Sequence, residues 1–324
     1  MITYIESIEL VKEFQFLNGS LFILTQSKIR NAATGKNIEG EFYCMRNWKN
    51  FILTQNKNEK NILILDKDLN VIKEISGASN YALWLLNACD LIPVEEKVFQ
   101  LKDSLELEET KITIFPKNCI HTYGIRRGKN AVLCDDLEGI KLKWRFELGE
   151  NIKVGGDFIL LDKLVIVSTT TEDLIGIDIE TGKELWRLRN CNLYQQKQPN
   201  TGYLIGLASN SVGDNFYQVV DPSNGVKLVY KKFKNFFYDT RPTLACITAT
   251  HYYFISNVIG DGSGTASIRE IHLGCINLEN HEIEWVEKID SVRESISVYK
   301  KPELINNRLY LLDEEKTLSI YELN

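Results

Sequence analysis

Residues 176–186, GIDIETGKELW, have the pattern of a short β-hairpin. Asp178 ends one apolar strand, and its carboxylate can accept hydrogen bonds from the amides of the turn. Gly182 supplies the positive φ that such a turn requires. The chain then returns as a second strand, on which we expect Trp186 to face the core.

The same frame recurs along the chain. A turn residue is followed eight positions later by a tryptophan at three places, Asp136/Trp144, Asp178/Trp186 and Asn277/Trp285. The turn residues recur without the tryptophan after Asn31, Asp66 and Asp221. Val229 stands at the tryptophan position after Asp221, and Ile75 lies near it after Asp66. Because the offset is constant, the pattern indicates an internal repeat.

The spacing of these turns bounds the architecture. The anchors at 31, 66, 136, 178, 221 and 277 are separated by 35, 70, 42, 43 and 56 residues. A last strand, LSIYELN at 318–324, has no return strand after it, and ITYIESIEL at 2–10 has the alternation of a missing partner. Seven units over 324 residues average about 46 residues, which suits four short strands per unit repeated around a ring.

The unit at 176–186 resembles the repeat of pyrroloquinoline-quinone-type (quinoprotein-like) β-propellers, whose hairpin carries Asp, then Thr-Gly, then Trp. The match is close in this unit and partial in three others. The resemblance implies an all-β fold of four-stranded blades, in which the N- and C-terminal strands close the ring. We therefore expect one β-propeller domain over residues 1–324, with seven blades or, as the alternative, eight.

The 70-residue step is the irregular one. Either one blade carries an insertion near 78–112, or a short degenerate blade lies there with KVFQLKD as one of its strands. Residues 80–92, NYALWLLNACDLI, are the one serious helix candidate, and Pro93 would end that helix.

Composition narrows the function classes. With 44% hydrophobic and 25% charged residues the chain is globular, and 38 basic against 44 acidic residues give a net charge of −6. Such a surface repels phosphates and anionic lipid on average, so neither nucleic acid nor membrane is the expected partner. No signal-peptide pattern or membrane-length apolar run occurs, and the seven cysteines form no CxxC pair. We expect a cytoplasmic protein with buried, reduced thiols.

No recognisable catalytic or cofactor motif is present. The four histidines form no HxH, HxxxH or HExxH pair, and neither GxSxG nor GxxxxGK[ST] occurs. The Gly260–Gly264 loop has a single carboxylate, which is too few for calcium. The resemblance raises a quinone cofactor, but the chain lacks adjacent cysteines and an export signal. We predict no catalytic residues, no metal and no cofactor.

Residues 231–238, KKFKNFFY, interleave lysines with aromatic residues. This composition can bind a nucleic acid backbone and stack bases. The stretch also directly follows the Asp221 hairpin, where an outer strand would place lysines in water and phenylalanines against the next blade. The net charge favours the outer strand, and we predict no nucleic acid partner.

A propeller would direct the Asp-Thr-Gly hairpins to one face. The opposite face would be formed by the loops that enter and leave the inner strands, and in resembling propellers it carries the ligand or partner site. A rigid ring would bring together side chains that are distant in sequence. The predicted partner-binding residues are Arg46, Trp48, Arg126, Arg127, Lys129, Tyr194, Asp239, Arg241, Asp261 and Arg293.

These observations favour a non-catalytic, protein-binding propeller that is a monomer. A narrower form is an immunity-type inhibitor of a basic toxin domain, which the acidic balance would attract. The alternative is an enzyme or small-ligand binder that uses the central channel of the ring. A structural subunit of a larger assembly is the third hypothesis.

Overall fold

The computed structural model is all-β. It describes residues 2–78, 83, 90–94, 97–110, 118–120, 123–137, 141–191, 196–209, 215–233, 245–258, 270–289, 302–313 and 315–323. The chain divides into two compact units. The N-terminal unit comprises Glu9–Gly128 and Val132–Phe146, and the C-terminal unit comprises Met1–Ile8, Lys129–Ala131 and Glu147–Asn324.

The first strand, β1 (Ile2–Ile8), belongs to the C-terminal unit, and the next fifteen strands form four antiparallel sheets. Sheet 1 contains β2 (Glu13–Leu17), β3 (Ser20–Leu24), β4 (Lys28–Asn31) and β5 (Asn37–Glu39). Sheet 2 contains β6 (Phe42–Trp48), β7 (Phe51–Asn56), β8 (Ile62–Leu65) and β9 (Val71–Ile75). Sheet 3 contains β10 (Leu91–Val94), β11 (Lys97–Leu101) and β12 (Leu107–Thr110). Sheet 4 contains β13 (Asn118–Ile120), β14 (Tyr123–Gly128), β15 (Ala131–Asp136) and β16 (Lys141–Glu147).

Four further antiparallel sheets form the C-terminal unit. Sheet 5 contains β17 (Ile159–Leu161), β18 (Leu164–Ser168), β19 (Leu174–Asp178) and β20 (Glu184–Leu188). Sheet 6 contains β21 (Gln196–Lys197), β22 (Leu204–Ser209), β23 (Asn215–Asp221) and β24 (Val226–Phe233). Sheet 7 contains β25 (Ala245–Ile247), β26 (His251–Val258), β27 (Glu270–Asn277) and β28 (Ile283–Lys288). Sheet 8 contains β29 (Glu303–Ile305), β30 (Arg308–Leu312), β31 (Leu318–Leu323) and β1.

Eight sheets correspond to eight blades, so the expectation of seven is wrong and the alternative of eight is confirmed. The additional blade is sheet 3, which lies inside the 70-residue step and has three described strands. Lys97–Leu101, from the KVFQLKD stretch, is its middle strand. The sheet was hard to count from the sequence because none of the turn anchors at 31, 66, 136, 178, 221 and 277 lies in it.

Within each unit, the cores lie between successive sheets. In the N-terminal unit, Phe22 and Ile29 of sheet 1 pack with Phe42 and Ile52 of sheet 2 in one buried cluster. In the C-terminal unit, buried clusters join sheet 5 to sheet 6, sheet 6 to sheet 7 and sheet 7 to sheet 8. The sheets therefore pack face to face, as the apolar alternation of their strands requires.

The turn at 178–183 has the hydrogen bonds that its residues predict. The Asp178 carboxylate accepts the Thr181 amide and hydroxyl, both at 2.7 Å. The Gly182 amide donates to the Asp178 carbonyl at 2.9 Å, and Gly182 has φ = 70°. The same turn recurs after Asn31, Asp221 and Asn277, whose side chains also accept turn amides.

A β-bulge recurs at one register in four sheets. In sheet 5, Gly176 pairs with Trp186 and Ile177 with Glu184, which leaves Leu185 as the extra residue. Sheets 2, 6 and 7 repeat this bulge, and their extra residues are Ile72, Leu228 and Glu284. In sheet 7, Cys275 pairs with Trp285. The predicted equivalence of Trp186 and Trp285 is therefore confirmed.

Two further tryptophan positions give different outcomes. Val229 pairs with Val219 beside the bulge of sheet 6, as its spacing from Asp221 predicts. In sheet 2 the residue at the tryptophan position is Lys73, which pairs with Ile64. Ile75 lies near it on the same strand and pairs with Ile62. The reason is a turn one residue shorter, closed from Asp66 to Asn70.

Trp144 is buried in β16, but its turn residues 138–140 lie outside the described residues.

The two ends of the chain meet in sheet 8. Strand β1 pairs antiparallel with β31, from Ile2 opposite Leu323 to Ile8 opposite Leu318. The rings of Tyr4 and Tyr321 form an edge-to-face contact with centroids 5.7 Å apart. The predicted pairing of the terminal strands is confirmed.

The helix predicted over 80–92 is wrong at its C-terminal end. Leu83 is helical, and residues 84–89 lie outside the described residues. Leu91 and Ile92 belong to β10, in which Pro93 pairs with Val98. Both side chains are buried, and Ile92 packs in the cluster that sheet 3 shares with sheet 2. None of the described helical segments has the length and hydropathy needed to cross a membrane.

Candidate partner-binding surface

Strand β24 carries the most extended apolar row among the exposed side chains of the described residues. It is eight residues long and is the last strand of sheet 6. Val226, Leu228 and Tyr230 are 50%, 45% and 48% exposed. The bulge at Leu228 shifts the alternation of faces, so Val226 and Tyr230 lie on opposite faces of the sheet and share only the exposed edge strand. A row of this kind on a sheet edge is a typical place for a partner to bind.

The sequence around β24 explains this row. The Asp221 turn starts the strand, and the bulge adds Leu228 to it. In sheets 2 and 5 the equivalent extra residues, Ile72 and Leu185, are also apolar and exposed. Sheet 6 differs because Val226 and Tyr230, on either side of Leu228 along the strand, are also apolar and exposed.

Aromatic and basic groups lie next to this row. Tyr230 stacks on Phe216 with centroids 5.9 Å apart and rings 22° from parallel. The Lys227 ammonium is 4.8 Å from the Tyr230 centroid, and the Lys232 ammonium is 6.0 Å from that of Phe216. These are cation–π distances, so the lysines hold positive charge beside the aromatic pair. We call Phe216, Val226–Leu228, Tyr230 and Lys232 the β24 surface.

The other side of β24 is held by packing. Val229 and Phe233 pack against the core shared by sheets 6 and 7. Lys231 forms an ion pair with Glu282 and donates to the Asn280 carbonyl at 3.3 Å. From Val229 to Phe233 the strand is thus anchored on one side and exposed on the other.

The stretch 231–238 was predicted to be an outer strand, and residues 231–233 are confirmed as part of one. Phe233 faces the neighbouring sheet as predicted. Lys231 does not simply face water, because Glu282 on the adjacent hairpin attracts it. Residues 234–238 lie outside the described residues.

Two of the predicted partner-binding residues lie on β6. Arg46 is mostly buried and forms an ion pair with Glu13 of β2. Trp48 is buried, and its Nε1 donates to the Asp90 carboxylate at 2.6 Å. Trp48 pairs with Phe51 at the same end of sheet 2 as the Asp66 hairpin. This placement differs from the expectation, because the indole belongs to the core at the hairpin end.

Arg126, Arg127 and Lys129 lie at the end of β14 and in the turn that follows it. This is the end of sheet 4 opposite the Asp136 turn, as predicted. Arg126 forms a bidentate pair with the buried Asp135, at 2.5 and 3.1 Å. That hydrogen-bonded carboxylate raises the pKa of Arg126. The binding role of these residues stays a prediction.

The remaining predicted site residues lie outside the described residues, and so their convergence stays a prediction. They are Tyr194, Asp239, Arg241, Asp261 and Arg293. Val226, Leu228 and Tyr230 are not among the residues predicted from the sequence. The sequence contains a signal for them, because VKLVYKKF has more apolar residues than one buried face of a strand requires.

One group of potential metal ligands is clustered within the part of the chain that the structure describes. His251, Cys275 and Glu284, on three adjacent strands of sheet 7, have ligand atoms within 4.8 Å of one another. Burial raises the pKa of the Cys275 thiol to about 12, and the Glu284 carboxylate adds to this rise. No metal was predicted because no two histidines stand at the ligand spacing of one strand or helix, whereas these three residues come from three different strands.

Comparisons with known proteins support the fold. No family model matches the sequence, and no curated protein matches it. The crystal structure of BamB from Moraxella catarrhalis, a β-propeller of the PQQ-like type, is similar with a TM-score of 0.55 and 13% identity, over 100% of this chain and 98% of that one. The crystal structure of the computationally designed Ika8 protein is similar with a TM-score of 0.52 and 11% identity, over 99% and 98%.

At these identities the likeness shows the fold alone. The predicted all-β propeller is confirmed, with eight blades. The narrower assignment to the pyrroloquinoline-quinone type rests on residues 176–186 and stays a prediction.

Proposed function

We propose that this eight-bladed β-propeller is a non-catalytic protein-binding module, and that the β24 surface contacts its partner. The observation that supports this most strongly is the exposed row of Val226, Leu228 and Tyr230 on an edge strand. Tyrosine is enriched at binding hot spots because it combines a large apolar area with a hydroxyl group.

The chemistry of the surface favours one kind of occupant. The outer edge of β24 has backbone donors and acceptors that can pair with an added strand. Lys227 and Lys232 put positive charge beside the apolar row. An extended, acidic segment of a protein partner satisfies both features, because its backbone can pair with β24 and its carboxylates can meet the lysines.

The test uses two aspartate variants at equivalent bulge positions. Leu228→Asp puts a negative charge in the β24 surface, and Leu185→Asp puts one at the same place in sheet 5, where the side chain is 56% exposed. A protein captured from native extract is purified, and its affinity for each variant is measured by titration calorimetry. We expect Leu228→Asp to weaken binding at least tenfold (about 1.4 kcal/mol or more), while Leu185→Asp matches the wild type.

Two results would count against this surface. The first is a partner whose affinity falls equally for both variants or is unchanged by both. The second is tight binding of single-stranded DNA that Leu228→Asp and Tyr230→Ala abolish, which would identify a nucleic acid site instead. Thermal unfolding of each variant shows whether a loss of binding reflects a loss of fold.

An immunity-type inhibitor of a basic toxin domain is a second form of the binding function, in which the net charge of the whole chain, and not Lys227 or Lys232, attracts the partner. The net charge of −6 supports it, because an acidic protein attracts a basic partner and accelerates association. In this form the association rate falls steeply with added salt. A partner with a net negative charge would exclude the basic toxin and leave the β24 proposal intact.

A further inference from the structure

Three side chains of sheet 7 direct potential metal ligands at one point. Glu284 Oε2 lies 3.3 Å from His251 Nε2 and 3.8 Å from Cys275 Sγ. A tetrahedral zinc ion with ordinary bond lengths separates nitrogen from oxygen by about 3.3 Å and sulfur from oxygen by about 3.5 Å. These two separations are close to those values, and all three ligand atoms lie within 4.8 Å of one another, so modest side-chain movements would surround such an ion.

Neighbouring groups hold these ligands in orientation. The Thr250 hydroxyl lies 2.8 Å from His251 Nδ1, which directs Nε2 towards the cluster. Asn277 Nδ2 donates to Glu284 Oε1 at 2.7 Å, which leaves Oε2 facing the histidine and the cysteine. Groups of this kind orient the ligands in metal sites and are part of their affinity.

The repeat provides an internal comparison. In sheet 5 the three positions equivalent to His251, Cys275 and Glu284 are occupied by Leu164, Gly176 and Leu185, none of which offers a ligand atom. In sheet 6 the positions of Cys275 and Glu284 are occupied by Val219 and Leu228. The fold itself therefore does not require polar groups here, and sheet 7 departs from the pattern at all three positions.

Access to the cluster is open on one side. Cys275 is buried, whereas the side chains of His251 and Glu284 are 29% and 36% exposed. An ion could enter from the side of the histidine and the carboxylate. Three protein ligands with a fourth position left for water is the arrangement of open zinc sites.

We propose that His251, Cys275 and Glu284 form a binding site for a divalent transition-metal ion of the zinc class. The ligands are the His251 Nε2, the Cys275 thiolate and one oxygen of Glu284, and the fourth position takes water. Thiolate, imidazole and carboxylate together select zinc or cobalt over magnesium or calcium. The proposal is independent of the partner-binding function of β24.

The experiment titrates Co²⁺ into the full chain after treatment with a chelator. We expect one equivalent of Co²⁺ to produce a thiolate-to-cobalt charge-transfer band, which one equivalent of Zn²⁺ then displaces. Cys275→Ala should lose the band, and Glu284→Gln should weaken Co²⁺ binding at least tenfold. Cys44→Ala, which alters another buried free cysteine in sheet 2, is the matched control and should bind as the wild type does.

Thermal unfolding keeps the proposal testable if one variant is unstable. Zn²⁺ should raise the melting temperature of the wild type and of Cys44→Ala, because it binds the folded state, but not that of Glu284→Gln. The proposal is overturned if the wild type gives no charge-transfer band with excess Co²⁺. It is also overturned if the band survives in Cys275→Ala, or if Zn²⁺ stabilises Glu284→Gln as much as the wild type.

Discussion

Trp186 shows how a single residue joins two sheets of the C-terminal unit. Its indole Nε1 donates to the Pro222 carbonyl at 3.0 Å, in the turn of sheet 6. A Cβ on Gly176 would lie 2.3 Å from the indole, and one on Gly225 would lie 2.6 Å from it. Glycine is needed at both positions because the tryptophan occupies the space that any other side chain would take.

A matched pair of glycine substitutions tests this packing. Gly225 and Gly35 have nearly the same φ, +71° and +72°, but a Cβ on Gly35 has no atom within 4 Å. Gly35→Ala should lower the free energy of unfolding by about 1 kcal/mol, through the left-handed backbone alone. Gly225→Ala should cost about 2 kcal/mol more, because the methyl group displaces the indole.

Urea denaturation of the two variants measures the difference. Equal losses of stability would mean that the indole moves away without cost, and would contradict the role of Trp186 as a fixed contact between sheets 5 and 6.

At the scale of elements, the hairpin turn of sheet 7 docks on strand β23. His281 occupies the place that glycine holds in the other turns and has φ = 61°. Its Nδ1 lies 2.9 Å from the Tyr217 hydroxyl, and Tyr217 is buried in the core between sheets 6 and 7. Burial lowers the pKa of His281 below 6.5, and the nearby Lys231 ammonium lowers it further.

This lowered pKa predicts an acid-sensitive contact. The unfolded chain takes up a proton on this histidine at higher pH than the folded chain, so stability falls as the pH drops through about 6.5. In His281→Asn, whose side chain tolerates the left-handed backbone, this part of the pH dependence should disappear. Free energies of unfolding at about pH 7.5 and about pH 5 compare the two proteins.

A wild type and a His281→Asn variant that lose equal stability between these pH values would show that His281 does not titrate differently on folding.

At the scale of the whole molecule, sheet 8 is completed by a strand from the other end of the chain. Pairing β1 with β31 carries a large loop-closure entropy, because almost the entire chain lies between them. The pairing also covers an edge of β31 that would otherwise be open to other chains. Tyr4 and Tyr321 add an aromatic contact across the pair.

Removal of residues 1–8 tests this closure. The truncated chain should unfold at a lower temperature and associate through the exposed edge of β31, both measured by differential scanning calorimetry and size-exclusion chromatography with light scattering. A synthetic peptide of residues 1–10 should restore the melting temperature and the monomer, and a scrambled peptide should not. An unchanged melting temperature after truncation would show that β1 contributes little to the fold.

Much of this architecture was determined by the sequence alone. Asp178, Thr181 and Gly182 lie within five positions of one another, so their turn depends on local hydrogen bonds and on one glycine φ. The constant offset from turn residue to tryptophan predicted the shared bulge register of Trp186 and Trp285. The pairing of the terminal strands followed from a last hairpin without a return strand.

Other features were decided by the tertiary structure. Sheet 3 completes the count of eight although no turn anchor lies in it, and Ile92 and Leu101 bury it against sheet 2. The exposure of the β24 surface and the burial of Trp48 depend on how much of each strand a neighbouring sheet covers. His251, Cys275 and Glu284 meet only because three strands are paired in register. Turn chemistry acts over a few residues and can be recognised in a sequence, whereas burial and convergence depend on groups that only folding brings together.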